Sequence, residues 1–300
     1  MKILIHGRAY PVAMWRWFDW AFHDLGHKVF SVGNYNGGKI PWGDQYDYPQ
    51  YAFPPNHEIP EADLDGNMVL RDVKEKYGFT PDVVIQAADS IYLSGKLNCR
   101  NVVLETDPHA VDYTKRIEFA DHVFCMQDHY KLPGQTWIPY GWHPPIHKYL
   151  QDQENKYDVA FSGLQYDHRK EALEAMSAAG LRVSNQLGLI YEEYVQLYNS
   201  ATIAFNWSSK EDLPARFWEG MAMGRLMLTN KVPDMDILPH LVDGTHYITF
   251  SSVADAVEKA KYYSSHVDEA KEIGKKAMEA VKFDTYYQRA SKMLEVINKL

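Results

Sequence analysis

Between Ser208 and Gly224 the chain sets two glutamates and an arginine around what reads as the start of a helix. The stretch follows an apolar run, Thr202–Trp207, that reads as a buried strand, and Pro214 suits a first helical turn. A helix N-terminus offers unpaired N–H groups and a positive dipole end, which suit a diphosphate. Hydroxyls donate strongly to carboxylates, so Glu211 in the loop and Glu219 inside the helix suit a polyhydroxylated ligand. Asn206, near the end of that strand, is a further candidate for binding the same ligand. Arg216 in the loop, with Arg169 and Lys170 upstream, could offset charge growing on a departing diphosphate. The competing reading is a solvated loop glutamate beside an ordinary helix start.

A second constellation is Thr106-Asp107-Pro108-His109, after an apolar strand. There His109 could steady a ligand and Asp107 could orient a hydroxyl or take its proton; the bland alternative is Asp-Pro capping a helix. Two strand-ending glycines, Gly7 and Gly163, allow a backbone to approach a phosphate or sugar, but neither opens a G-x-G-x-x-G run. This disfavours a tightly held dinucleotide. Asp234-Met235-Asp236 matches a metal-binding D-x-D pattern but sits beside Pro233, where capping is the simpler role. His143 and His147 have helical spacing, yet Pro144 and Pro145 forbid the helix that would align them on a metal. No metal site is therefore expected.

These residues need a scaffold of alternating strands and helices. Strands are read at Lys2–Gly7, His27–Gly33, Asp82–Ala88, Asn101–Asp107, His122–Gln127 and Thr136–Tyr140, with helices near Val12–Leu25, Asp65–Tyr77 and Val111–Phe119. Asn34–Pro60, rich in Pro, Gly, Asn and Tyr, reads as a long loop. The pattern restarts at Tyr157–Gly163, with a helix over Arg169–Ala179 and strands at Leu181–Ser184, Thr202–Trp207, Arg225–Asn230 and His246–Phe250. Helices Ala254–Ser264, Asp268–Val281 and a last one from Thr285 follow. Alternation of this kind predicts an α/β fold with parallel sheets covered on both faces. The expected division is 1–150, a polar linker at Gln151–Lys156, a second domain over 151–282, and a terminal helix, 283–300, packing back on the first domain.

With 300 residues, 46% hydrophobic and 24% charged, the chain has the balance of a globular protein. Core packing accounts for much of its 21 Tyr, 12 Phe and 8 Trp, and aromatics also stack on sugars and bases. The net charge of -9 is spread evenly over the two halves and argues against a grip on long duplex DNA through its phosphates. Cys99 and Cys125 read as core thiols of a reducing compartment. The N-terminal apolar run is too short for a signal peptide, and no stretch reaches the roughly 18 apolar residues of a membrane span. A cytoplasmic protein is expected.

The run Arg216-Phe217-Trp218-Glu219-Gly220-Met221-Ala222-Met223-Gly224 and the strand after it resemble the donor-binding segment of GT-B glycosyltransferases, in particular the CgeB-like group. Tyr157–Gly163 with Arg169-Lys170 resembles that family's diphosphate strand and basic pair, and the likeness extends more loosely to Thr106–His109 and Ile138–Gly141. The resemblance implies two Rossmann-like doubly wound domains facing a central cleft, an N-terminal acceptor domain and a C-terminal domain for a nucleotide sugar. By the same resemblance Glu219 holds the ribose hydroxyls and Glu211 the transferred sugar, with retention at the anomeric carbon suggested by their spacing. The donor is a UDP-sugar by default, used as co-substrate without cofactor or metal. Gly163, Arg169, Lys170, Asn206, Arg216 and Glu219 fall on the donor side; Gly7, Trp15 and Tyr140 fall on the acceptor side, although core packing competes for the tryptophans. The acceptor stays open: a polysaccharide, spore surface, small molecule or, as for related phage enzymes, a hydroxymethylated pyrimidine in DNA. Rival readings are a non-catalytic two-lobed sugar-binding protein and an NAD-containing nucleotide-sugar epimerase.

Overall fold

The computed structural model describes all residues except 44, 88–90 and 152. Asp44 of the expected loop, the strand end at Ala88 and Asp152 of the expected linker therefore lie outside the described residues. The chain divides into two compact units, Met1–Pro139 with Tyr286–Leu300, and Tyr140–Thr285. Residues 140–150, grouped with the first half by sequence, thus belong to the second unit. Hydrogen bonds put them there: Leu150 N–H donates to Asn199 Oδ1 (2.8 Å), and the Asn199 amide donates to the Lys148 carbonyl (2.9 Å).

In the first unit β1 (Lys2–His6), α1 (Met14–Asp24), β2 (Lys28–Gly33), β3 (His57–Glu58), β4 (Leu64–Asp65), α2 (Gly66–Tyr77), β5 (Val83–Gln86), β6 (Leu93–Ser94), β7 (Arg100–Glu105), α3 (Thr114–Ile117), β8 (His122–Cys125) and β9 (Thr136–Trp137) follow in order. Seven strands form one parallel sheet, ordered β3-β2-β1-β5-β7-β8-β9, while β4 and β6 pair separately. The central strands are apolar runs buried on both faces, as a parallel sheet demands. Caps sit where the sequence supplies them: Asp65 accepts Met68 N–H at the start of α2, and Gly78 (φ 66°) ends it. The helix expected over Val111–Phe119 shrinks to one turn, because Asp112 accepts both the Thr114 N–H and its hydroxyl and starts the helix late.

The carboxyl end of β1 is tightly packed. A Cβ on Gly33 would lie 1.7 Å from the Gly7 carbonyl oxygen, and one on Gly7 would lie 2.4 Å from the Trp15 ring. Gly7 is thus a seat for Trp15, whose Nε1 donates to the Arg8 carbonyl (2.7 Å) and whose ring packs on Phe53. At 1% exposure Trp15 is a core residue, which corrects its assignment to an acceptor surface. The rest of α1 docks on α9 (Tyr286–Ile297): Trp17 stacks on Tyr286 at 6.1 Å and Phe18 meets it edge-on at 5.5 Å. Burial of such rings contributes about 1.5–3 kcal/mol each.

The second unit runs β10 (Tyr157–Ser162), α4 (Asp167–Ala178), β11 (Val183–Gln186), α5 (Tyr191–Asn199), β12 (Ala201–Asn206), α6 (Ala215–Ala222), β13 (Leu226–Asn230), β14 (Ile248–Phe250), α7 (Val253–Ser265) and α8 (Val267–Ala280). Its five strands are all parallel, ordered β11-β10-β12-β13-β14. Val159, Phe161, Ile203, Phe205, Leu226 and Leu228 pack with side chains of α4, α7 and α8. Gly220 lets α6 close against Ala204 and Met227. The entering and leaving strands of chain lie side by side, since Trp142 N–H donates to the Asp284 carbonyl and its indole to that of Val281. Among the described residues no helix is long and apolar enough to cross a membrane.

His6, at the end of β1, is fully buried, and neither ring nitrogen has a hydrogen-bond partner among the described residues. Burial, aided by the nearby Arg116 charge, holds its pKa down at about 3, against 6.5 in an unfolded chain. The unfolded chain therefore takes a proton that the fold refuses. Stability should be complete above pH 6.5 and fall as pH drops toward 3, by on the order of 4 kcal/mol from this group. In His6→Leu, unfolding by urea between pH 7 and 4 should show a flatter acid slope; an unchanged slope would exclude His6 as its source.

Candidate functional site

In the second unit the strand order reverses beside β10, with β11 on one side and β12 on the other. The crevice at the carboxyl ends of such strands is where open α/β sheets bind ligands. Arg216, in the first turn of α6, fills that position. Its Nε donates to the Ser162 carbonyl (3.0 Å), its Nη1 to Asn206 Oδ1 (2.9 Å), and its guanidinium lies 4.6 Å from the Phe161 ring centroid. Asn206 is itself aimed by donating to Thr229 Oγ1 (3.0 Å). Gly163 makes the arrangement possible: it has φ 152°, and a Cβ there would sit 2.2 Å from Arg216 Nη2. Burial alone would lower the Arg216 pKa, but the oxygens of Tyr198, Tyr194, Glu219 and Asp212 hold it above the ordinary arginine value. The result is a fixed cation at the switch point. Arg169 lies close by, donating to the carbonyls of Trp207 (2.6 Å) and Leu164 (2.9 Å); burial and the Arg216 charge lower its pKa to about 10. The helix start differs slightly from the sequence reading: Pro214 is the N-cap, with no side-chain cap, and Ala215 the first helical residue.

One turn along α6, Glu219 is 13% exposed and already engaged. The Tyr194 hydroxyl donates to its Oε2 (2.6 Å), and His147 Nε2 lies 3.4 Å from Oε1. Burial, then the Glu219 charge, push the Tyr194 pKa well above 10, so the phenol stays a donor. Burial lowers the His147 pKa although Glu219 opposes it. A cation at the strand ends, flanked by a nearly buried carboxylate on α6, suits a ligand carrying phosphates and hydroxyls together.

The family described as glycosyl transferase-like matches residues 146–295, half of the chain. The chain belongs to this family. It is a glycosyltransferase, and its fold is GT-B. In fold it is similar to HepE of Anabaena in complex with UDP-glucose (12% identity, TM-score 0.70, all of both chains) and to sucrose-phosphate synthase of Thermosynechococcus elongatus (14%, 0.65, 100% of this chain and 98% of the other). It is similar also to an alpha-glucosyltransferase in complex with UDP and a 13-mer DNA containing an HMU base (12%, 0.66, all of both chains). No curated protein matches the chain.

Other residues expected on the donor side fall in different settings. Lys170 lies exposed on α4, 3.9 Å from Glu174, whereas its neighbour Arg169 is buried. Glu211 is exposed and adopts φ 58°, a left-handed conformation costly for a residue with a side chain. Its loop is held at the root, where Ser208 N–H donates to Asn230 Oδ1 and the Ser208 hydroxyl to Asp212 (both 2.6 Å). Asp234 is buried, whereas Asp236 pairs with Lys231 at the surface, so the D-x-D carboxylates diverge. Among the described residues no group of three or more His, Cys, Asp or Glu converges as metal ligands.

In the first unit Asp107 and His109 follow β7. Asp107 accepts from the Thr106 hydroxyl (3.0 Å) and its backbone N–H donates to Tyr113, so it is not the cap of α3; the His109 ring lies against Tyr130. Tyr140 is buried and lies in the second unit, which corrects its placement on the acceptor side. Tyr194 escaped the sequence reading, and His147 was weighed there only as a metal ligand beside His143. His147 sits 72 positions before Glu219, and no local pattern links them; the Tyr194–Tyr198 spacing on α5, which puts both rings on one face, was the one usable signal.

Gly163→Ala should press its methyl into the Arg216 guanidinium. Chemical unfolding is expected to show a loss of about 1–3 kcal/mol, and sugar transfer a fall of about tenfold or more. Undiminished transfer would mean that the Arg216 position has no part in the reaction.

Proposed function

We propose that the enzyme transfers a sugar from a UDP-sugar to a hydroxyl acceptor, with the donor held at the carboxyl ends of β10 and β12. The observation that carries this reading is Arg216: a guanidinium locked between Ser162 and Asn206 and charged at neutral pH. As the bond between the sugar and the diphosphate breaks, negative charge grows on the leaving oxygen, and a preorganised cation lowers that barrier by several kcal/mol. Arg216 and, behind it, Arg169 fill the role a metal plays elsewhere, so the proposed reaction needs no metal and no cofactor beyond the nucleotide sugar. Glu219 grips the ribose hydroxyls. Glu211, strained in its loop, touches the transferred sugar.

The proposed acceptor side is the first unit, where Asp107 takes the acceptor's proton and His109 steadies the sugar. Net retention of configuration goes with the Glu211–Glu219 pair. Support for uridine comes from HepE, whose complexes hold UDP, UDP and glucose, and UDP-glucose. The acceptor to test first is the 5-hydroxymethyl group of a pyrimidine in DNA, because one fold neighbour binds DNA containing an HMU base; polysaccharides and small molecules are the competing classes. A cytoplasmic setting fits two cysteines, Cys99 and Cys125, that are not joined to each other.

A thermal-shift screen tests the core of this proposal. UDP at about 100-fold over its Kd should add about 2.7 kcal/mol of stability. Glu219→Ala should abolish that gain while its melting without ligand stays cooperative. If no nucleoside diphosphate raises the melting temperature, the donor assignment falls.

A further inference from the structure

We infer that Tyr194 and His147 are positioning residues that aim the Glu219 carboxylate at the ribose of the nucleotide. The inference rests on the proposed ribose grip and adds the machinery behind it. Both groups face the Glu219 carboxylate, Tyr194 as a hydrogen-bond donor and His147 Nε2 at 3.4 Å. The phenol of Tyr194 is held protonated by burial and contacts Oε2 at 2.6 Å, a short charge-assisted bond. The tautomer of His147 follows from its surroundings: Nδ1 accepts the His143 backbone N–H (3.0 Å), which leaves the proton on Nε2, the nitrogen 3.4 Å from Oε1. Burial keeps this imidazole neutral, so it acts as a donor without adding a charge.

A carboxylate has about four lone-pair sites. With the Tyr194 hydroxyl on Oε2 and His147 Nε2 beside Oε1, each oxygen keeps a lone-pair site for one of two neighbouring ribose hydroxyls. The donors also come from separate parts of the chain, His147 from the segment that enters the unit and Tyr194 from α5, while Glu219 rides on α6. Tyr194 packs on Tyr198 (4.7 Å between ring centroids), and the Tyr198 hydroxyl accepts the Ser162 N–H (3.0 Å). Ser162 supplies the carbonyl that holds Arg216. The ribose-facing carboxylate and the phosphate-facing cation are therefore set by one packed group of side chains.

The test is calorimetric binding of UDP and of 2′,3′-dideoxyuridine diphosphate, which lacks both ribose hydroxyls, to the full chain and its variants. The wild type should prefer UDP by about tenfold or more, as expected for hydrogen bonds to a charged group. Tyr194→Phe should cut that preference to about threefold or less, through weaker UDP binding with the dideoxy affinity unchanged. His147→Leu should do the same, and His147→Gln, whose amide can still donate, should restore part of it. A merely structural role would weaken both ligands equally and leave the ratio intact. If Tyr194→Phe fails to fold, the His147→Leu and His147→Gln pair decides. A wild-type ratio in Tyr194→Phe and His147→Leu, with the preference lost in Glu219→Gln, would overturn this inference and leave the ribose grip standing. A preference retained in Glu219→Gln would overturn the grip itself.

Discussion

A single guanidinium organises the second unit. Arg216 joins the last carbonyl of β10 to the last side chain of β12, and it can do so because residue 163 has no side chain. A half-buried cation is costly unless its donors are satisfied and its charge is answered. Here the answers are a carbonyl, an amide oxygen, an aromatic face, and carboxylates at Glu219 and Asp212. Each partner is in turn held: Asn206 by Thr229, Asp212 by Ser208, Glu219 by Tyr194. Rigidity of this sort is what electrostatic catalysis asks for, since the cost of orienting the dipoles is met during folding rather than during the reaction.

The loop between β12 and α6 has a contrasting character. Its root is pinned to Asn230, yet Glu211 stands exposed in a left-handed conformation that a glycine would adopt without strain. A strained residue persists only where the surrounding structure over-determines it, and such residues gather at ligand sites. Arg216 and Glu219 are thus bound into the fold, while Glu211 is displayed by it. The proposed division of labour, diphosphate and ribose on the helix and sugar on the loop, follows that difference in burial.

Packing in the first unit explains why its aromatics gave a misleading signal. Tryptophans at 15 and 17 and phenylalanine at 18 face Gly7, Phe53 and Tyr286, so α1 spends its rings on the sheet and on the last helix. The surface elements at the strand ends, Asp107 and His109, are polar and tied locally to Thr106, Tyr113 and Tyr130. An amphipathic pattern marks which residues a helix buries, but a ligand-facing ring and a core-facing ring carry the same pattern.

The alternation of apolar runs and helix signals, the restart at Tyr157, the glycines that follow β1 and β10, and the closeness of Arg216 to Glu219 were all legible in the chain. Each depends on local periodicity or on a neighbour within a few positions. Tertiary structure alone decided the rest. It set Lys170 on the solvent face of α4 while turning Arg169 inward, buried Trp15, and moved residues 140–150 into the second unit. It brought His147 and Tyr194 onto Glu219 from 72 and 25 positions away. Contacts at such separations come from strand order and helix packing, which a residue's neighbours in sequence do not encode.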